Sequence, residues 1–400
     1  MPRAKGKKSA KKDGDTGRFS FVFRGVMIGV GVFLILYSVG YAFFFVKYSP
    51  QFADAEAAAT STLAKIASST PIAPPKPTLD TKAYNAKMLF LAHLSAASTT
   101  TDTSTTTPPG MTLIAPGTAT MSVSAVHKLW PVSTVYPQVG ALLPQNRIVA
   151  YYGNFYSKGM GVLGQYPPDE MISRLKAAVS QWQAADPATP VIPAIDYIAV
   201  TAQGSPGADG MYRLRMPDSQ IDKAIDLAKQ VNGIVILDVQ VGDSTVQDEV
   251  PLLEKYLAMP NVHLALDPEF DMSPGVKPGT VIGTMGATEI NWAANYLANL
   301  VDKDNLPPKI LIVHRFTQNM VQNTANIKPL PEVQVVMDMD GWGFGAKKIN
   351  TYNTVVEPYP VQFTGFKLFY KNDLLPPSTR MLTPTEVLDL TPSPSFIQYQ

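Results

Sequence analysis

Val262-His263-Leu264-Ala265-Leu266-Asp267-Pro268-Glu269 opens as a short apolar run and stops in two carboxylates separated by a proline. The apolar part is too short for a stable helix and does not alternate with polar residues. It therefore reads as a strand covered on both faces. Seven similar runs surround it: Ile148–Asn154, Val191–Ile198 and Ile234–Gln240 before, then Lys309–His314, Val333–Asp340, Phe363–Tyr370 and Phe396–Gln400 after.

Between these runs the period changes to that of a helix. Asp169 to Ala185 carries Ile172, Leu175, Val179 and Trp182 on one stripe. Asp218 is positioned to cap a helix bearing Ile221, Ala224, Ile225, Ala228 and Val231, and Gly233 follows where a left-handed C-terminal cap is wanted. Strands alternating with helices predict a parallel sheet, and eight such units predict a (β/α)8 barrel over 126–400. A doubly wound open α/β sheet is the alternative. Thr280-Val281-Ile282-Gly283-Thr284 also has strand character, but only about ten residues, rich in Pro and Gly, separate it from the fourth run, fewer than the dozen or so of a parallel crossover. It is expected to be loop at the barrel mouth, leading into a helix from Glu289 to Val301.

Upstream, the chain changes character. No charged residue occurs from Gly25 to Val46, a length that crosses a hydrocarbon core of ~30 Å at ~1.5 Å per residue. Arg3, Lys5, Lys7, Lys8, Lys11, Lys12, Arg18 and Arg24 precede it, and Lys47 stands alone after it. This asymmetry predicts a basic cytoplasmic tail (1–24), a single transmembrane helix (25–46) and an extracytoplasmic remainder at the cell membrane. The competing reading is a signal peptide cleaved near Ala55-Glu56-Ala57, although the apolar segment exceeds the ~7–15 residues usual for one. Residues 47–125, rich in Ala, Ser, Thr and Pro, read as linker. Within it Met88-Leu89-Phe90-Leu91 marks either a helix folded back on the domain or a transient one.

Composition narrows the chemistry. Without cysteine there is no disulfide, thiolate ligand or thiol nucleophile. The net charge of the whole chain is +1, so without its basic tail the remainder is acidic, which argues against nucleic acid as a partner and leaves the membrane and a neutral or amino-sugar polysaccharide. His93, His127, His263 and His314 show no metal-ligand spacing. Neither a G-x-S-x-G elbow nor a P-loop is present.

In a (β/α)8 barrel the active site gathers at the C-terminal strand ends. The runs end in Asp238 and Gln240, Asp267 and Glu269, His314, and Asp338 and Asp340 followed by Trp342; Asp196, Lys367 and Gln398 lie within others. Strand side chains alternate, so both members of each i, i+2 pair share a face. Carboxylates converging in an enclosed mouth raise each other's pKa, which supplies a proton donor near neutral pH. Tyr152, Asn154, Trp342 and Tyr370 are candidate sugar-binding residues, together with Asp238, Gln240, His314 and Lys367. No cofactor is required, although Asp238, Asp267, Glu269, Asp338 and Asp340 offer oxygen ligands suited to calcium or magnesium.

Asp267-Pro268-Glu269 resembles the catalytic ending of chitinase-like and some lysozyme-like (β/α)8 glycosidases. The resemblance implies that Glu269 is the general acid, that Asp267 orients the substrate, and that Asp338 or Asp340 is the further polar residue of the site. It is confined to this triplet: where chitinases read Asp-x-x-Asp-x-Asp-x-Glu, this chain has Val262, Ala265, Asp267 and Glu269. The implied function is a membrane-anchored glycoside hydrolase of envelope polysaccharide. The alternative is a noncatalytic barrel that binds polysaccharide or protein at the cell surface.

Overall fold

A computed structural model describes residues 78–94 and 129–400, which belong to one compact unit running from Pro77 to Gln400. The basic tail, the apolar segment 25–46 and the rest of the linker lie outside the described residues. Among those described, no helix is long and apolar enough to cross a membrane.

Eight parallel strands form the barrel: β1 (Arg147–Gly153), β2 (Val191–Ala202), β3 (Ile234–Val239), β4 (Val262–Leu266), β5 (Lys309–Arg315), β6 (Val333–Met339), β7 (Phe363–Leu368) and β8 (Phe396–Tyr399); the short Arg213–Arg215 strand adds antiparallel to the end of β2. Each pairs with the next, and β8 pairs with β1, opposite Ile148 to Tyr151, so the sheet closes and the open-sheet alternative is excluded. This closed barrel is the fold that the glycosidase resemblance implies. Thr280 to Thr284 is loop, and the helix that follows spans Ala287–Asp304.

Alternation along the strands separates two cores. Outward residues such as Val149, Ile195, Leu237, Leu264, Val313, Val335, Phe366 and Ile397 pack against the surrounding helices. Inward residues of the lower half (Ile148, Ala150, Ala194, Ile234, Ile236, Ala265, Ile310, Ile312, Val336, Phe363 and Phe396) fill the barrel. Both faces are apolar there, which is why each strand reads as a continuous apolar run.

The helix α1 (Thr81–Leu91) packs Tyr84 and Met88 against this inner core, together with Leu143. Asp80 caps its start by accepting from Ala83 N, and its end is tied to the segment before β8 by Ser393 N donating to Leu91 O at 2.7 Å. Of the two readings of this segment, the described residues adopt the folded-back helix.

Two local expectations change. The helix α2 (Pro168–Ala185) forms as the stripe predicted, but in α3 (Asp218–Lys229) Asp218 is the first helical residue and caps nothing, pairing instead with Lys255 at 2.5 Å. The left-handed position after α3 belongs to Asn232, with φ 49°, and not to Gly233. Gly233 is needed for another reason: a Cβ there would press on the carbonyl oxygen of Pro193 in β2.

Candidate active site

Above the apolar half, the same inward positions turn polar. Tyr152 lies opposite Asp196 across β1 and β2, and His314 opposite Asp338 across β5 and β6, so strand register sets these side chains at one level. Gly365 makes room for the layer, since a Cβ at that point of β7 would collide with Asp338 Oδ1.

His314 is the centre of this layer and is fully buried. Its Nε2 lies 3.1 Å from Asp238 Oδ2, and its Nδ1 lies 3.1 Å from Asp338 Oδ2 and 3.7 Å from Asp340 Oδ2. Burial alone would strip its proton, but the hydrogen bonds to Asp238 and Asp338 overcome this and hold its pKa well above the usual imidazole value. Burial also works against the charge on Lys367, yet Asp340 and other nearby carboxylates raise its pKa. Lys367 Nζ lies 3.0 Å from Asp340 Oδ1 and 3.9 Å from the centroid of the Tyr152 ring.

Six carboxyl groups, Asp196, Asp238, Asp267, Glu269, Asp338 and Asp340, thus share this end of the barrel with two cations. They cannot all ionise. Burial, reinforced by Asp238, pushes Asp196 up to about 8 even though it accepts from Gln398 Nε2 at 2.6 Å. Burial and Asp238 also hold Asp267 well above the usual carboxylate range, where its Oδ2 accepts from Gln240 Nε2 at 3.1 Å. Asp338 is raised by burial against the opposing pull of His314.

Glu269 differs from the others. It is half-buried, its carboxyl group makes no hydrogen bond or ion pair with the described residues, and burial together with Asp340 pushes it to about 7, while Lys367 and His314 pull it down. β4 ends at Leu266, and Pro268–Phe270 forms a 3-10 turn, so the strand alternation expected to align Asp267 with Glu269 does not extend that far. The proline-initiated turn brings both to one cavity instead.

That cavity, of about 580 Å³, opens at the C-terminal strand ends. Its volume falls in the range that holds small ligands. Tyr152, Gln240, Asp267, Glu269, Asp340, Trp342 and Lys367 line it, whereas Asp238, His314 and Asp338 do not and form the layer that sets its charge. Trp342 is 48% exposed, with Lys347 Nζ 4.7 Å from its ring centroid.

Asn154 and Tyr370 are placed elsewhere. Asn154 is buried and braces the loop after β1, donating to Tyr197 Oη and Ile198 O and accepting from Tyr156 N. Tyr370 stacks on Tyr399 and shares a 2.9 Å hydrogen bond with Tyr151 outside the barrel. Among the described residues, no three acidic or imidazole groups are arranged to hold a metal ion.

Other lining residues were not expected: Phe270, Phe316, Lys347, Thr351, Phe369 and Gln400. Gln400 continues the inward alternation of Phe396 and Gln398 and could have been found from it. The others come from loops and short helices, where no period marks them.

No protein-family model matches this chain, and no curated protein matches it. Among solved structures, a ruminal GH26 endo-beta-1,4-mannanase aligns over 64% of this chain and 58% of its own, with 11% identity and a TM-score of 0.33. The chain thus spans less than two thirds of that neighbour, and the likeness carries no weight in assigning the residues above.

Proposed function

We propose that this protein is a glycoside hydrolase, held at the outer face of a cell membrane by its N-terminal segment and acting on an envelope polysaccharide. The observation that carries the reading is the position of Glu269, a cavity-lining carboxyl group that burial and Asp340 push up to about 7, with Asp340 itself ion-paired to Lys367. A purely structural pair at Asp267 and Glu269 would be locked in salt bridges, and neither residue forms one among the described residues.

Glycoside hydrolysis needs a protonated and an ionised carboxyl group beside one bond. Glu269 gives its proton to the glycosidic oxygen. The bond from that oxygen to the anomeric carbon breaks, and its electron pair leaves with the departing hydroxyl. Positive charge developing on the sugar ring is stabilised by the Asp340 carboxylate. A water oxygen then bonds to the anomeric carbon, and the proton it releases restores Glu269. Asp267, kept protonated by burial, is a hydrogen-bond donor to the sugar. Trp342 offers an apolar face to a ring at the rim.

The test is a screen of the full chain in detergent against cell-wall and N-acetylhexosamine polysaccharides, with Glu269→Gln as the matched control. New reducing ends from the native protein but not from the variant support the assignment. Equal product from both removes Glu269 from the mechanism. No product from either, with both folded, favours the noncatalytic binding module.

A further inference from the structure

The alternation that turns His314 into the barrel turns its neighbour Arg315 out of it. Arg315 is 1% exposed, and its guanidinium is satisfied by neutral groups alone: Nε donates to Thr317 O, Nη1 to Thr324 Oγ1, and Nη2 to Gln318 O at 2.7 Å. The face of Tyr359 covers it, 4.4 Å from ring centroid to Cζ. No ion pair among the described residues includes Arg315, whereas the buried Arg147 pairs with Asp186 and the half-buried Arg213 with Glu249. A buried charge without a counter-ion is costly, and such charges are ordinarily paired.

This guanidinium lines a cleft of about 550 Å³ that no acidic residue among the described residues borders. Around it stand Asn319, Gln322 and Asn323, all exposed, whose side-chain amides have no hydrogen-bond partner among the described residues. Fixed positive charge beneath free amide donors and acceptors suits a ligand that is both anionic and rich in hydroxyls. Adjacent residues border the two openings, Phe316 lining the mouth and Arg315 the cleft.

We infer that the cleft is a second binding site, for an acidic sugar residue of the hexuronate class. The sugar carboxylate lies in the cleft within the field of the covered Arg315 guanidinium, and its hydroxyls are held by Asn319, Gln322 and Asn323. The choice of a sugar rests on the proposed glycan substrate, but binding here does not depend on hydrolysis at the mouth.

Isothermal titration of the full chain in detergent with glucuronate, and with glucose and acetate as controls, tests it. Glucuronate binding that weakens at least tenfold in Arg315→Met and in the Asn319→Ala, Gln322→Ala double variant, and is unchanged in Glu269→Gln, is the expected result. The double variant changes only exposed side chains and carries the test if Arg315→Met does not fold. Absence of saturable glucuronate binding, or binding indifferent to the double variant, overturns the inference. So does acetate binding as tightly as glucuronate, which would indicate a simple anion site. Glucuronate bound as expected by a protein that hydrolyses no glycan would sink the mouth reading alone.

Discussion

The barrel encloses two interiors built by the same strands. The lower holds Ile148, Ile234, Ile310, Phe363 and Phe396, sealed by Tyr84 and Met88 of α1. The upper holds Asp196, Asp238, Asp267, His314, Asp338 and Lys367, all almost fully buried. Apolar burial in the lower half stabilises by roughly 25 cal/mol per Å² removed from water. In the upper half Oδ1 of Asp196, Asp238, Asp267 and Asp338 finds no partner among the described residues, and each buried polar atom left so costs ~1–3 kcal/mol. Stability and the proposed chemistry are therefore separated along the strand axis, and the first supports the second.

The sharpest way to break this contrast is at the bottom. Phe363→Ala should lower the free energy of unfolding by ~3–5 kcal/mol, read from urea titration, while activity per folded molecule stays native. A loss of activity without a loss of stability would put chemistry in the wrong half. Met88→Ala tests whether α1 seals the core: ~2–5 kcal/mol is expected, towards the lower end because a helix at the barrel end can settle into the space. No change in the urea midpoint would show that α1 seals nothing.

The upper half should respond to pH. The folded state holds a proton on Asp196 up to about 8, whereas the unfolded chain releases it near its ordinary value of about 3.9. Its contribution is fully present below about pH 4 and is lost as pH rises through about 8. Asp196→Asn should therefore melt like the native protein at pH 4 and at a higher temperature at pH 9. Thermal melts that differ equally at both pH values would contradict the assignment.

A smaller effect is expected at Lys367. This cation pulls the Glu269 pKa down, so Lys367→Met should move the alkaline limb of any hydrolytic pH profile upward, by less than about one unit. A downward shift would mean that another group sets that limb.

How far the sequence reveals this division differs between the halves. The strands are legible because inward and outward residues of each are both apolar below, as in Ile310 to Val313. The polar ends are legible because carboxylates such as Asp267 and Asp338 interrupt otherwise apolar runs. Asp196 could have been ranked with them, since it shares a level with Tyr152, but that follows from β1–β2 register, a long-range fact. The docking of α1 is equally long-range, because Tyr84 and Met88 meet a surface assembled from many separate strand starts. Asn154 and Tyr370 sit at strand ends like the site residues, and only the path of the following loops sends them elsewhere.

The central claim is that Glu269, the half-buried carboxyl group lining the mouth, is poised to give a proton at neutral pH. It is tested most directly by 13C NMR titration of glutamate-labelled full chain, with the Glu269 carboxyl signal assigned by its loss in Glu269→Gln. Titration near pH 7 is the predicted result. Titration near 4.3, the value of an unperturbed glutamate, would contradict the account.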